Sequence, residues 1–403
     1  MRPDDDARAP LPAPLAGVTV LDLGRVISGP LCSLTLAELG ATVIRIEKPG
    51  GDSSWQLPPF LHEDGSIDDD RRDAQDIALS HAKRDHGKLS VELDYTSSEG
   101  RDRLLRLVGT VDVLVENFRP DVMAALGLGY DVLSAANPRL IHCSITGYGH
   151  YGPFRERHGM ALLVAAMSGA IAKTGFPDGS PVAPGFPVAD HAAAAYAVIA
   201  ILAALRQRDA HGVGQFVDVS MFDVMTNLLW DEPLDQYEDE GYPHRTGNTD
   251  LRGAPLNVYP SADGWVVVMG LSQAHFDRLC GVLGRPELAA TYPDLAARVA
   301  ASEQIDEAIA DWTRTLPTDE LVRRLDAIDV PSAPVNAPWT TRTHAQTEAR
   351  GMLVELSHAA TPDTAARYRA ARIPITLSRT PLGASGAVRP LGADTRAVLG
   401  ELG

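Results

Sequence analysis

Cysteine is scarce in this 403-residue chain: Cys32, Cys143 and Cys280 stand far apart, in no CxxC or zinc-ligand spacing. That argues against a disulfide scaffold and a cysteine-built metal site, and an odd, sparse set suits a reducing cytoplasm. Positive charge is also in short supply. A net charge of −17 argues against a nucleic-acid partner or an anionic membrane surface, so a polyanionic ligand must be met by local bases. Long hydrophobic runs are missing too. The longest apolar stretch, Ala192–Leu205, is mostly alanine and too short and too weakly apolar to span a bilayer. Met1–Pro14 has no apolar core, so it is expected to be a loose tail rather than a signal peptide. The sequence also lacks G-x-G-x-x-G, the phosphate-loop lysine, G-x-S-x-G and H-E-x-x-H, which disfavours a dinucleotide site, a serine nucleophile and zinc chemistry.

What is present is an ordinary soluble composition, 45% hydrophobic and 22% charged, in a chain long enough for two domains. Val18–Leu23 reads as a buried strand, Gly24–Pro30 as a loop and Leu31–Leu39 as a helix stopped by Gly40. Thr42–Glu47 reads as a second strand. Further strands are expected at Val111–Glu116 and Leu140–Ile145, so helices alternate with strands around a mostly parallel sheet. His62–Arg84, with its run Asp68-Asp69-Asp70-Arg71-Arg72-Asp73, reads as a solvated surface loop. A second region follows Gly212. It holds a strand at Gln215–Val219, a helix near Met221–Trp230, a hairpin of Leu256–Tyr259 with Trp265–Met269, and helices over about 273–328. Strands at Ala333–Asn336 and Ile373–Leu377 are expected to return to the first sheet. The expected division is a tail over 1–14, a large α/β domain over 15–211, a smaller α+β domain over 212–330, and a returning segment over 331–403, with linkers near 206–215 and 329–345.

Four places could carry chemistry. Asp190 stands at the start of a helix that Arg206-Gln207-Arg208 closes, the charge order a helix dipole favours, and on these residues alone a plain N-cap is the favoured explanation. Glu47-Lys48 ends the second strand, where Lys48 suits a phosphate and a solvated strand end is the bland alternative. Val115-Glu116-Asn117-Phe118-Arg119-Pro120 sets an amide, a ring and a guanidinium beyond a strand's carboxyl end, where ligands of open sheets bind, although Phe118 could merely cap the core. Thr146–Pro153 is glycine-rich and could turn backbone N–H groups toward an oxyanion, or be only a turn.

Taken in order, these segments resemble the family III CoA-transferases, a group that also holds 2-methylacyl-CoA racemases. The resemblance runs from about residue 12 to about 385. It rests on Leu15–Leu23, Leu39–Glu47, Val115–Pro120, Thr146–Pro153, Val188-Ala189-Asp190, Gly214–Ser220, Arg245–Asn248, Tyr259–Trp265 and Val330–Val335. It implies a Rossmann-like large domain built from both chain ends, a small domain, and two chains interlocked as a homodimer. It further implies that Asp190 is the nucleophile, that Lys48, Leu93, Asn117 and Phe118 contact coenzyme A, and that Ile27, Ser28, Gly147, Tyr148 and Gly149 form an oxyanion and acyl pocket. Coenzyme A enters as substrate, a small carboxylic acid is its partner, and no metal is implied.

A carboxylate suits the role, being ionised at neutral pH without a base. Departures narrow the activity. Racemases of this group move a proton with a His and an Asp, and the matching positions here are Asp131 and Ala161, of which Ala161 can move none. Ile27 replaces the Gln of formyl-CoA transferases, and Leu251-Arg252-Gly253-Ala254 replaces their glycine run. Ala189 stands where a Gly commonly precedes the nucleophile. The expected function is CoA transfer from an acyl-CoA to a carboxylic acid, with an acyl-CoA racemase or isomerase and a non-catalytic acyl-CoA binder as alternatives.

Overall fold

The computed structural model describes residues 11–73, 76–357, 367–380, 382–383 and 387–400. Two compact units emerge: Met1–Gly169 with Pro184–Glu232 and Ala345–Gly403, and Ala170–Ala183 with Pro233–His344.

The first unit is organised by six parallel strands. β1 (Thr19–Asp22), β2 (Thr42–Glu47), β6 (Leu89–Glu92), β7 (Val113–Glu116), β8 (Ile141–Thr146) and β9 (Phe216–Ser220) lie in the order β6-β2-β1-β7-β8-β9. Leu21 pairs with Ile44 on one side and Leu114 on the other. Val113, Leu114 and Val115 are wholly buried, as a strand covered on both faces must be. Between β2 and β6 the chain adds a small antiparallel sheet, β3 (Phe60–Leu61), β4 (Ile67–Asp68) and β5 (Ile77–Ala78). One face of the large sheet is covered by α3 (Ser98–Val108) and, beyond the short α4 (Val122–Ala125), by α5 (Tyr130–Ala136), whose Leu104, Leu107, Val108 and Leu133 join the main core.

α1 (Ser28–Glu38), α8 (Val188–His211) and β8 and β9 meet in a second layer, with α2 (Leu79–Asp85) against α1. α6 (Ala161–Met167) and α9 (Met221–Leu229) complete this part of the chain and pack on α8, whereas α7 (Ala170–Lys173) belongs to the second unit. α8 is longer than its apolar stretch suggested: it starts at Val188 and ends at Gly212, whose left-handed φ of 81° a glycine adopts freely. By length and composition alone it could cross a membrane. In this unit its Ala189, Ala193, Ala197, Ile201 and Ala204 are buried, and small side chains let the helix lie close to the strands.

The second unit is an antiparallel sheet, β10 (Leu256–Pro260), β11 (Trp265–Met269) and β12 (Ser332–Pro334), backed by helices. Its core joins Tyr259, Val266, Phe276, Leu279, Ile305, Ile309, Leu321, Leu325 and Val330.

Several expectations give way. β9 belongs to the large sheet, pairing in register with β8, so the stretch after Gly212 stays in the first unit as far as Glu232. The segment at 332–334 does not return to that sheet, because it pairs with β11. Over 373–377 no sheet strand forms; Leu377 makes one isolated bridge to Thr380. The tail over 1–14 lies outside the described residues as far as residue 10, and Leu11 is tied down by its N–H to the Arg379 carbonyl at 2.9 Å. His62–Arg84 is a solvated loop only in part: residues 69–73 of its charged run are exposed, whereas His62 and residues 76–78 are buried. His62 is buried between Asp76 at 2.7 Å and Asp68 at 3.0 Å, and Leu61, Ile77 and Ala82 enter a core with Trp55, Leu356 and Tyr368. Within the run Arg72 pairs with Asp68, which also meets His62.

Candidate active site

β1 delivers Asp22, without solvent exposure, to the mouth of the loop before α1. Its carboxylate accepts from the Gly24 N–H (2.8 Å), the Ser33 hydroxyl (2.5 Å), Lys88 Nζ (3.0 Å) and Arg45 Nη1 (3.2 Å). Lys88 also reaches Asp85 at 2.8 Å, and Arg45 donates to the Gly24 carbonyl and to Asp52. Burial alone would raise the Asp22 carboxyl, but Lys88 and Arg45 outweigh it and hold Asp22 below the ordinary value. Below the loop, then, lies a dry ionic floor.

The loop on that floor is fixed at almost every polar group. Asn117 accepts the Arg25 N–H at 2.6 Å and donates to the Arg25 carbonyl at 2.9 Å and to Ser28 Oγ at 3.0 Å. Val26 has φ of 60°, a left-handed turn that a β-branched residue adopts only under constraint. Its N–H is held by Asp52 at 3.0 Å and its carbonyl by Arg84 at 3.1 Å. Two glycine contacts close the loops. A Cβ on Gly24 would lie 2.7 Å from Gly29 Cα, and one on Gly147 would lie 2.3 Å from Gly159 Cα.

Across this loop stands Asp190. Pro187 is the residue that caps α8, with no side-chain cap bond, so Asp190 is not an N-cap: it lies inside the first turn. Its carboxylate is therefore free of capping duty and faces Ser28. Burial raises it above the ordinary carboxylate value, while Ser28 hydrogen bonding and the charges of His191 and Arg84 pull it back. A cleft of about 420 Å³ opens here, lined among others by Arg25, Ser28, Asn117, Phe118, Gly147 and Asp190. Arg119, Arg155 and Arg157 add positive charge to its walls. Such a site can hold an anionic ligand beside a half-buried carboxylate.

The structure thus brings together Ile27, Ser28, Asn117, Phe118, Gly147 and Asp190 in one cleft. Lys48 lies in a separate recess with Gly24, Arg25, Glu47 and Tyr95, its ammonium 5.2 Å from the Tyr95 ring centre. Arg25 borders both spaces, with its guanidinium 4.9 Å from the centre of the Phe118 ring. The Leu93 side chain is buried in the main core beside the strand end that carries Lys48. Tyr148 and Gly149 are not among the residues lining the cleft. The Tyr148 hydroxyl turns to Met167 Sδ at 3.3 Å, and the Gly149 N–H is taken by Thr146 Oγ1 at 2.8 Å, so it is not aimed at a ligand. Ala161 lines the cleft, whereas Asp131 lies exposed on α5 and does not. Asp52 and Arg84 were missed altogether; Asp52 sits in a Gly-Gly-Asp turn and Arg84 in a segment read as solvated, neither giving a local signal of its partner. Among the described residues no group of three or more His, Cys, Asp or Glu is placed to hold a metal ion.

A family model described as CoA-transferase family III matches residues 15–395. Among curated proteins the chain is similar to a succinate–glutarate CoA-transferase of Agrobacterium fabrum, 36% identical over 394 residues and 96% of each chain. It is also similar to a succinyl-CoA:mesaconate CoA-transferase of Haloarcula hispanica, 35% identical over 96% of this chain and 95% of that one. Among solved structures it is similar to a CAIB/BAIF family protein from Brucella suis, with a TM-score of 0.85 and 32% identity over 98% of this chain and 100% of that one.

Proposed function

Because this chain belongs to CoA-transferase family III and is a CoA-transferase, we propose that it moves coenzyme A between two carboxylic acids through covalent intermediates on Asp190. The Asp190 carboxylate attacks the acyl-CoA carbonyl, and the C–S bond breaks to give a mixed anhydride and CoA thiolate. The thiolate then attacks the aspartyl carbonyl, which expels the donor acid and leaves an aspartyl-CoA thioester. An acceptor carboxylate runs the same two steps in reverse. Each covalent step is easier than direct exchange. The observation that carries this reading is a half-buried carboxylate, unused by helix capping, in a cleft walled by four arginines.

The names of the relatives support dicarboxylic acids such as succinate as substrates, with the cleft arginines as partners for a second carboxylate. Phe118 and Lys48 would serve coenzyme A, the ring by stacking and the ammonium by meeting a phosphate. Asn117 would act by holding the loop, since its amide bonds to Arg25 and Ser28. Assembly as an interlocked homodimer is supported by Ile199 and Leu202 on α8 and by Leu228 and Trp230 at the end of α9, apolar side chains exposed on helices that pack together.

The decisive experiment is Asp190→Ala with an acyl-CoA donor and an acid acceptor, alongside hydroxylamine treatment of the wild type. The variant should keep less than about a thousandth of wild-type turnover, as loss of an essential nucleophile does. Hydroxylamine should inactivate wild-type enzyme only after exposure to acyl-CoA. Turnover by the variant near the wild-type rate would place the nucleophile elsewhere.

A further inference from the structure

Arg84 lies at the end of α2, in the stretch that composition marked as solvated loop, and its ordinary explanation is a cation at a helix C-terminus. Its contacts ask for more. Its Nη1 donates to the Val26 carbonyl at 3.1 Å, and its charge acts on Asp85, Asp190 and Asp52. We infer that Arg84 is a positioning residue of the transfer reaction: one guanidinium fixes the left-handed turn that carries Ser28 and sets a positive charge opposite the Asp190 carboxylate. The inference rests on Asp190 being the nucleophile.

The turn is the first half of the argument. Val26 is held at φ 60° from both sides, by Asp52 on its N–H and Arg84 on its carbonyl. Without the second clamp the peptide between Val26 and Ile27 is free to rotate, and Ser28, which begins α1, loses its register against Asp190.

Charge is the second half. Asp190 faces Ser28 from α1, Arg84 from α2 and His191 from its own helix, and burial opposes its charged form. Four arginines line the cleft itself, and each is engaged by a neighbour. Arg25 lies over Phe118, Arg119 donates to the Glu156 carbonyl at 2.8 Å, Arg155 to Asp121 at 2.6 Å, and Arg157 lies over Phe154. The cations whose charge acts on Asp190 are instead His191 and Arg84, and Arg84 does so while it holds the Val26 carbonyl.

The test compares wild type, Arg84→Met and Arg84→Lys by the pH dependence of kcat/KM for the acyl-CoA, which reports the free enzyme. In Arg84→Met the acid limb should move up by about one pH unit, the scale of losing a nearby opposite charge. Arg84→Lys should return the limb close to its wild-type position, while kcat stays several-fold low because an ammonium does not reproduce the guanidinium's reach to the Val26 carbonyl. If Arg84→Met does not fold, Arg84→Gln carries the same expectation. An unmoved limb in the folded variant, with or without a uniform loss of activity, overturns the inference. Activity of Asp190→Ala would overturn the nucleophile assignment instead, so the two failures are distinct.

Discussion

The two walls of the cleft are built on opposite plans. Beneath the Gly24–Ser28 loop, Asp22, Arg45, Asp85 and Lys88 are buried charges paired with one another. Beneath Asp190, α8 turns Ala189, Ala193, Ala194 and Ala197 inward and buries no formal charge until Arg208, at its far end. The ionic wall holds its loop by geometry that fails as a unit when one member is lost. The alanine wall holds its helix by close approach, and fails only if volume is added. One side of the nucleophile is thus set by direction and the other by distance.

Asp22→Asn should give the largest effect on stability, because it strands Lys88 and Arg45 in a dry site. A loss of about 3–5 kcal/mol in denaturant unfolding is expected for one broken partner of a buried pair. A change below about 1 kcal/mol would mean that solvent reaches the floor and that the contrast between the walls is false.

His86 sharpens the comparison through pH. It is buried beside Lys88, both ring nitrogens lack a partner among the described residues, and burial, with Lys88, pushes it down to about 4 from 6.5. The folded protein therefore binds the proton more weakly than the unfolded chain. Its contribution is full above pH 6.5 and is lost as pH falls toward 4, by at most about 3 kcal/mol. In His86→Leu the fall in melting temperature between pH 7 and pH 5 should shrink. An unchanged slope would assign the acid sensitivity to other groups.

On the alanine wall, Ala197→Leu should destabilise by about 1–3 kcal/mol through overpacking, while Ala197→Ser should do far less to the fold. If leucine is tolerated, α8 does not lie as close as the comparison requires. Val26→Gly should have the smallest thermodynamic effect, within about 1 kcal/mol, because relief of the left-handed turn offsets the added freedom of the unfolded chain. Its effect on kcat should exceed its effect on melting temperature.

The strands of the large sheet could be read from the chain because Val113–Glu116 and Thr42–Glu47 are short β-rich runs that only full burial explains. Local logic marked Asp190, Asn117 and Phe118 as open candidates beside plainer readings, and only the family resemblance singled them out for the cleft in which they meet. Such logic failed wherever a residue's meaning depends on a distant partner. Asp68 reads as one more solvent-facing carboxylate of its run until His62 and Arg72 are seen to hold it. Ala333–Asn336 reads as a strand returning to the first sheet, and only the pairing of Ser332–Pro334 with Val266–Val268 shows that it joins the second. Tyr148 and Gly149 share a glycine-rich loop with Gly147, but composition does not say which N–H groups the loop keeps for itself.

The contact between Gly147 and Gly159 constrains more than local geometry. Each would-be Cβ overlaps the other residue's backbone, at 2.3 and 2.2 Å, so a side chain at one position has no compensating change at the other. The loop after β8 and the approach to α6 are therefore coupled in this chain. Transplanting the Thr146–Pro153 segment into a scaffold that carries any side chain at the position of Gly159 would bring that side chain against Gly147 and push the loops apart. Ala161, which follows that stretch and lines the cleft, would be displaced with it. Exchange of specificity between relatives must accordingly move the whole 146–161 stretch as one cassette, whereas Ala161 itself can be varied in place.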